Sequence, residues 1–236
     1  MEHFTQKSVR DFLLQEADTQ YAQFALSLVP QMSRSLLGVR IPVLRKLARK
    51  IAKGNWREWM DEASDETFEE VLLQGLVIGS ARMSYSEAVS RMHAYARKID
   101  NWSLCDSACN SFRFVREAPE QSWDILQPYC FSGDEFLQRF GVVMLLCHFI
   151  NETYIERVLS TLASVRPVGY YDRMAVAWTV SVCFVKFPIQ TEDLLRSELL
   201  DDETHRKSVQ KICESRCVRR EDKNRCRLYR MCRTKS

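Results

Sequence analysis

The stretch LGVRIPVLRKLARKIAKG, residues 37–54, contains the signals that decide the fold. The residue before Pro42 is expected to be extended, because a proline ring pushes its predecessor out of the α region. Pro42 then opens a helix over residues 43–53, in which apolar residues recur every three or four positions and basic residues fill the rest. Gly54 ends that helix. The stretch therefore predicts an amphipathic helix with a defined start and stop.

The remainder of the chain repeats this kind of pattern. Among 236 residues there are only seven glycines and six prolines, which favours helices over a meander of short strands. Helices are predicted over residues 8–24 and 67–83, among others, and the run 140–150 is interpreted as a buried helix. Ten or more helices with short connections predict an all-α protein, an irregular α-solenoid of stacked antiparallel helix pairs.

Compartment and metal content can also be predicted. No run of eighteen apolar residues exists, and the first residues lack an apolar signal region, so we expect a cytosolic protein, associated with a bacterial-type nucleoid at most, and no membrane partner. Nine cysteines without an export signal predict reduced thiols. The four near the end of the chain lack a CxxC pair, and no metal site is expected there. Five others are predicted core fillers: Cys105, Cys109, Cys130, Cys147 and Cys183.

The net charge of +3 conceals two basic zones. Residues 34–57 contain eight basic residues and no acid, and residues 206–235 contain twelve basic residues against three acids. Such zones on a nearly neutral chain indicate a face turned toward a polyanion, with nucleic acid as the leading candidate. The alternative, solvated helix faces, is about equally consistent with either run alone.

A tryptophan and a carboxylate stand four residues apart in RKIDNWSLCDSAC, residues 97–109. If a helix begins near Asn101, Trp102 and Asp106 share one face, a turn apart. An aromatic ring beside an anion suits a cationic or electron-poor partner. The structural alternative is a core tryptophan and a helix-capping or surface aspartate.

Five segments, taken in order, resemble the HEAT-like-repeat DNA alkylation repair enzymes, the AlkD-type alkylpurine DNA glycosylases. They are LGVRIPVLRKLA at residues 37–48, QGLVIG at 74–79, DNW at 100–102 with Asp106, MAVAW at 174–178, and VQKICES at 209–215. The resemblance covers nearly the whole chain, and no segment is specific alone. It implies one HEAT-like-repeat domain over residues 1–236, basic segment 205–236 included, with a concave basic face that holds double-stranded DNA.

The resemblance also implies an activity and its residues. Family members excise cationic N3- or N7-alkylated purines without metal or cofactor and without full extrusion of the nucleotide. Trp102 and Trp178 would flank the deoxyribose, and Asp106 would be the catalytic carboxylate. A monomer is expected. The residues expected to bind DNA are Arg139, Arg40, Arg45, Lys46, Arg49, Arg173 and Lys211. From sequence alone Trp178 could equally be a core residue, and Arg139 could cap a neighbouring helix.

One segment departs from the family pattern. In active members a long basic helix before the GVR-like motif enters the minor groove, whereas residues 23–35 here are short, nearly uncharged and interrupted by Pro30. The sequence TVSV at 179–182 also lacks the charged residues usual after the second tryptophan. Three hypotheses follow: an alkylpurine DNA N-glycosylase, a paralogue with weak excision and weak DNA binding, or a helical-repeat scaffold that binds another protein.

Overall fold

The computed structural model describes residues 3–29 and 32–233, with side chains as far as Tyr229. Within these residues the protein is all-α, as predicted, with fourteen α-helices, one 3₁₀ helix and no strand. A single isolated bridge pairs Ser35 with Thr67. None of the described helices is long and apolar enough to cross a membrane. The chain divides into two compact units, residues 1–120 and 121–236.

Unit 1 is built around one helix that is buried along its whole length. Its helices are α1 Gln6–Gln15, α2 Thr19–Leu28, α3 Ile41–Ile51, α4 Trp56–Glu62, α5 Phe68–Ile78, α6 Tyr85–Ala96 and α7 Trp102–Cys109, followed by a 3₁₀ helix, Arg113–Arg116. All eleven residues of α5 are buried, and α5 packs against α3, α6 and α7. Gly75 allows this, because a Cβ there would lie only 2.6 Å from the Tyr95 ring.

Unit 2 is also organised around one central helix, Tyr170–Lys186, which is buried along part of its length. Its helices are α8 Pro119–Cys130, whose first two residues belong to unit 1, α9 Glu135–His148, α10 Ile155–Ser164, α11 Tyr170–Lys186, α12 Pro188–Arg196, α13 Asp202–Glu214 and α14 Arg220–Arg233. The longest, α11, packs against α9, α10, α12 and α13, and α14 packs against α13. Packed helix pairs of this kind are typical of helical-repeat proteins.

The prediction of one helix over residues 8–24 is wrong. The chain forms α1 and α2 instead, with a break at residues 16–18. Asp18 causes the break, because its carboxylate caps α2 by accepting from the Tyr21 amide at 2.9 Å. The Asp18 amide does not continue the hydrogen bonds of α1, because it donates to the Leu37 carbonyl at 3.2 Å.

Other predicted helices are present with shifted ends. The helix predicted to end at residue 83 stops at Ile78, and Gly79 follows as its C-cap. A Cβ on Gly79 would collide with Ser111, so the chain passes close to the end of α7 there. The predicted helix over residues 43–53 begins two residues early, at Ile41, and keeps Pro42 in its first turn.

A buried carboxylate fixes the loop that leads into α3. Glu69, fully buried in α5, accepts hydrogen bonds from the amides of Leu37, Gly38 and Val39 at 3.1, 2.7 and 3.1 Å. Gly38 has φ of +88°, a left-handed conformation that favours glycine. Burial raises the pKa of the Glu69 carboxyl, and the three amide donors act in the opposite direction. The loop is therefore held by one side chain 30 or more residues away.

We expect Glu69→Ala to lower the free energy of unfolding by about 3 kcal/mol, because it leaves buried amides without an acceptor. Glu62→Ala, in the exposed end of α4, is the matched control, with an expected change within about 0.5 kcal/mol. Urea denaturation of both variants measures the difference. Equal losses in the two variants would show that the Glu69 carboxylate does not hold this loop.

Candidate functional site

Helix α7 is started by Asn101. The Asn101 side-chain oxygen accepts from the Ser103 and Leu104 amides, both at 3.0 Å, and satisfies donors that a helix start leaves free. Its side-chain nitrogen donates to Asp100 at 2.8 Å. Since Asn101 is only 3% exposed, this cap is buried, and it sets the start of the helix that carries both candidate residues.

Trp102 and Asp106 lie one turn apart on α7, and both are half-buried. Leu104, Cys105, Ala108 and Cys109 are buried on the other side of the helix. Trp102 is therefore partly accessible and not fully buried, and Asp106 does not cap the start of α7, because Asn101 does. The structure thus brings an aromatic ring and a carboxylate to the exposed side of one helix.

The end of α2 and the chain that follows it are hydrogen-bonded to residues 100–102. The Trp102 indole Nε1 donates to the Leu28 carbonyl at 3.2 Å and thereby binds one of the carbonyls that the end of α2 leaves free. Asp100 accepts from Arg34 at 2.5 Å and from the Ser33 hydroxyl. Residues 100–102 consequently serve two purposes: they cap α7, and they bind the end of α2 at Leu28 and the chain beyond it at Ser33 and Arg34.

Helix α2 is short and uncharged, in agreement with the sequence of residues 23–35. It contains no charged residue and ends at Leu28, and the described residues from 32 to 40 form no helix. Pro30 lies outside the described residues. Phe24, Leu26 and Leu28 are 59%, 41% and 52% exposed. In place of a basic helix, this part of unit 1 presents an apolar one beside Trp102.

The basic residues of α3 form two separate rows. Arg45 donates to the Ser111 hydroxyl at 3.2 Å and to the Ser107 carbonyl at 3.4 Å, next to Asp106. Burial lowers the pKa of Arg45, and the positive charges of Arg49 and Arg113 lower it further. Arg45 therefore lies against α7, and Arg49 and Arg113 are near enough to Arg45 for their charges to act on it. The sequence prediction missed Arg113, because it follows α7 and belongs to neither basic zone.

The second row consists of Lys46 and Lys50, which lie along a cavity against α1 and not along α7. Arg40 belongs to neither row. It pairs with Asp18 at 3.1 Å, and its guanidinium lies 4.2 Å from the centre of the Tyr21 ring. Of the predicted DNA-binding residues in unit 1, Arg45 is thus the one that contacts the helix that carries Asp106, and Arg49 lies one turn further along α3.

The predicted residues of unit 2 differ in their surroundings. Arg139, on α9, is 6% exposed and donates to the Tyr171 carbonyl of α11 at 2.6 Å, so it has a structural contact with a neighbouring helix. Trp178, on α11, is half-buried although the residues on either side of it, Ala177 and Thr179, are fully buried. Trp178 is therefore partly accessible, and its role in the site stays a prediction.

Two further predicted cations lie in unit 2. Arg173, on α11, donates to the Gly169 carbonyl at 3.2 Å and pairs with Glu203 at 3.4 Å. Lys211 is half-buried on α13. Their assignment to DNA stays a prediction, as does that of Arg139.

The sequence also makes predictions about the cysteines and about metal ligands. Cys105, Cys109, Cys130 and Cys183 are buried free thiols, as expected of core residues, whereas Cys147 is only half-buried. Burial raises the pKa of Cys130 and of Cys183 to about 12. Among the described residues, no group of three or more His, Cys, Asp or Glu side chains is arranged to hold a metal ion.

Comparison with known proteins identifies the family of the chain. No curated protein and no solved structure matches the chain. A sequence model of the family described as DNA alkylation repair enzyme matches residues 9–166. The match spans all of α3, α5 and α7 and two thirds of the chain, including Glu69, Trp102, Asp106 and Arg139. With its helical architecture and its motifs in order, the chain belongs to the DNA alkylation repair enzyme family.

Proposed function

We propose that this protein is a DNA N-glycosylase that removes cationic N3- or N7-alkylated purines and uses Asp106 as its carboxylate. The observation that carries the proposal is the pairing of Trp102 with Asp106 on the exposed side of a capped helix, in a chain of the DNA alkylation repair family. Neither a metal nor a cofactor is needed for this reaction.

The chemistry suits these two side chains. An alkylated purine already carries positive charge, so the C1′–N bond breaks with both electrons going to the base, and positive charge builds on the sugar. A carboxylate stabilises that developing cation and accepts the proton of the water that adds to C1′. The Trp102 ring attracts a cationic sugar more strongly than a neutral one, which is a preference for the transition state.

The arginines beside α7 would hold the DNA strand. Arg49 and Arg113 each repel the charge of Arg45, and a phosphate bound at Arg45 would offset that repulsion. Arg45 already contacts Ser107, the residue after Asp106, so a phosphate bound here would lie near the carboxylate. The resemblance assigns the second aromatic contact to Trp178 and a backbone contact to Arg139; both roles belong to this proposal.

A second candidate function is that of a paralogue which keeps the scaffold but has lost efficient excision and tight DNA binding. The observation that favours it is α2, which carries no charge and exposes Phe24, Leu26 and Leu28. A helix without cations makes no strong phosphate contacts. The Trp102 indole N–H is also committed to the Leu28 carbonyl and is not available to a ligand.

Release of alkylated purine from methylated duplex DNA tests the first function. We expect the wild-type protein to release N3- or N7-methylpurine and Asp106→Asn to be at least about 100-fold slower, because the amide cannot accept the proton from water. Asp11→Asn, an exposed carboxylate on α1, is the control and should match the wild type. No release by the wild type favours the second function, and equal release by Asp106→Asn removes Asp106 from the mechanism.

Titration with duplex DNA at several salt concentrations tests the phosphate contacts. Three arginine–phosphate contacts predict a log–log slope of about −3, shallower than that of a protein with six or more contacts. Arg113→Ala should reduce the slope by about 1, whereas Arg57→Ala, which removes an exposed arginine paired with Glu87, should leave it unchanged. A slope steeper than about −6, or no effect of Arg113→Ala, would contradict this arrangement.

A further inference from the structure

A cavity of about 340 Å³ lies between α1 and α3 in unit 1. Its size is within the range of about 300 to 1,000 Å³ that is common for small-molecule sites. Most of its wall is apolar and comes from Phe4, Val9, Phe12, Val43 and Leu47. The cavity is not on the side of α3 that contacts α7, so it is separate from the candidate excision site.

The wall of the cavity is fixed by hydrogen bonds. The Phe4 amide donates to the Asn55 side chain at 2.8 Å, and the Asn55 side chain donates back to the Phe4 carbonyl at 2.9 Å. Phe4, Val9 and Leu47 are buried, while Phe12 and Val43 keep part of their apolar surface accessible. A ligand would therefore find a largely preformed apolar surface, which lowers the entropic cost of binding.

The rim of the cavity is predominantly cationic. Lys46 and Lys50, one turn apart on α3, both line it, and neither ammonium group makes a hydrogen bond or an ion pair with a described residue. Glu16, the carboxylate on the rim, is not paired with either lysine. Two ammonium groups above an apolar floor complement a ligand that has an apolar body and one anionic head group.

We propose that this cavity binds a small amphipathic acid, with its hydrocarbon body against Phe12 and Val43 and its carboxylate between Lys46 and Lys50. A nucleic-acid backbone fits less well, because it supplies anions but nothing that would fill the apolar floor. The hydrocarbon of the ligand can be aliphatic or aromatic, since both kinds of acid combine an apolar body with one carboxylate. The proposal does not depend on glycosylase activity or on DNA binding.

Fluorescence titration with 8-anilinonaphthalene-1-sulfonate, an amphipathic anion, tests the site on the full chain. We expect saturable binding that is displaced by dodecanoate or by 2-naphthoate, and the more effective competitor identifies an aliphatic or an aromatic ligand. Dodecanol, which lacks the charge, should compete at least tenfold less well than dodecanoate. Equal competition by dodecanol, or no displacement by either acid, would overturn the proposal.

Variants locate the binding. Lys46→Ala combined with Lys50→Ala should raise the Kd of the probe about 5- to 10-fold, because two attractive charges are lost. Arg49→Ala combined with Lys53→Ala removes the same charge from exposed positions of the same segment outside the cavity, and should change the Kd less than twofold.

Filling the cavity gives an independent readout. Val43→Trp should abolish binding, whereas Phe24→Ser, which removes an exposed apolar side chain elsewhere in unit 1, should not affect it. If Val43→Trp fails to fold by circular dichroism, the double lysine variant decides, because both of its side chains are exposed. Loss of binding in Phe24→Ser, or unchanged binding in the double lysine variant, would place the probe on α2 or elsewhere.

Discussion

Two adjacent carboxylates at the start of α5 hold much of unit 1 in place. Glu69 binds three consecutive amides of the loop before α3, and its neighbour Glu70, 1% exposed, accepts from Arg10 of α1, from Gln6 and from the Thr67 amide. Buried charges are costly unless they are fully hydrogen-bonded, and here each oxygen has partners. The loop that leads into α3, and with it the placement of both rows of cations, depends on Glu69, while Glu70 holds α1 against α5.

The sequence predicts the helices well where local signals are complete. Thr67 and Asp134 act as N-caps because their short side chains accept from the amides two or three residues ahead, and such caps can be identified from the sequence. The break between α1 and α2 could also have been predicted from Asp18, but helical spacing of apolar residues continued across it. What fixes that break is a bond to Leu37, and no local pattern contains it.

In the candidate site, too, local features could be predicted from the sequence, whereas contacts between helices could not. The spacing of Trp102 and Asp106 is enough to place them on one face of a helix, and the Asn101 cap fixes where that helix begins. The partner of the indole N–H is 74 residues away, and the arginine cluster joins α3 to a residue that follows α7. Such contacts depend on how helices pack, so periodicity could indicate that α3 is basic but not that its cations diverge to two sides.

If the protein excises rare lesions as proposed, the uncharged α2 has a kinetic consequence. Long-range attraction to DNA comes from clustered cations, and each phosphate contact displaces counterions that must return when the protein leaves. With α2 neutral, the cations beside α7 would be few, and each visit to undamaged DNA would be short. Such a protein would search by many brief encounters and not by sliding along the duplex, so its residence at a lesion would depend on the damaged base itself.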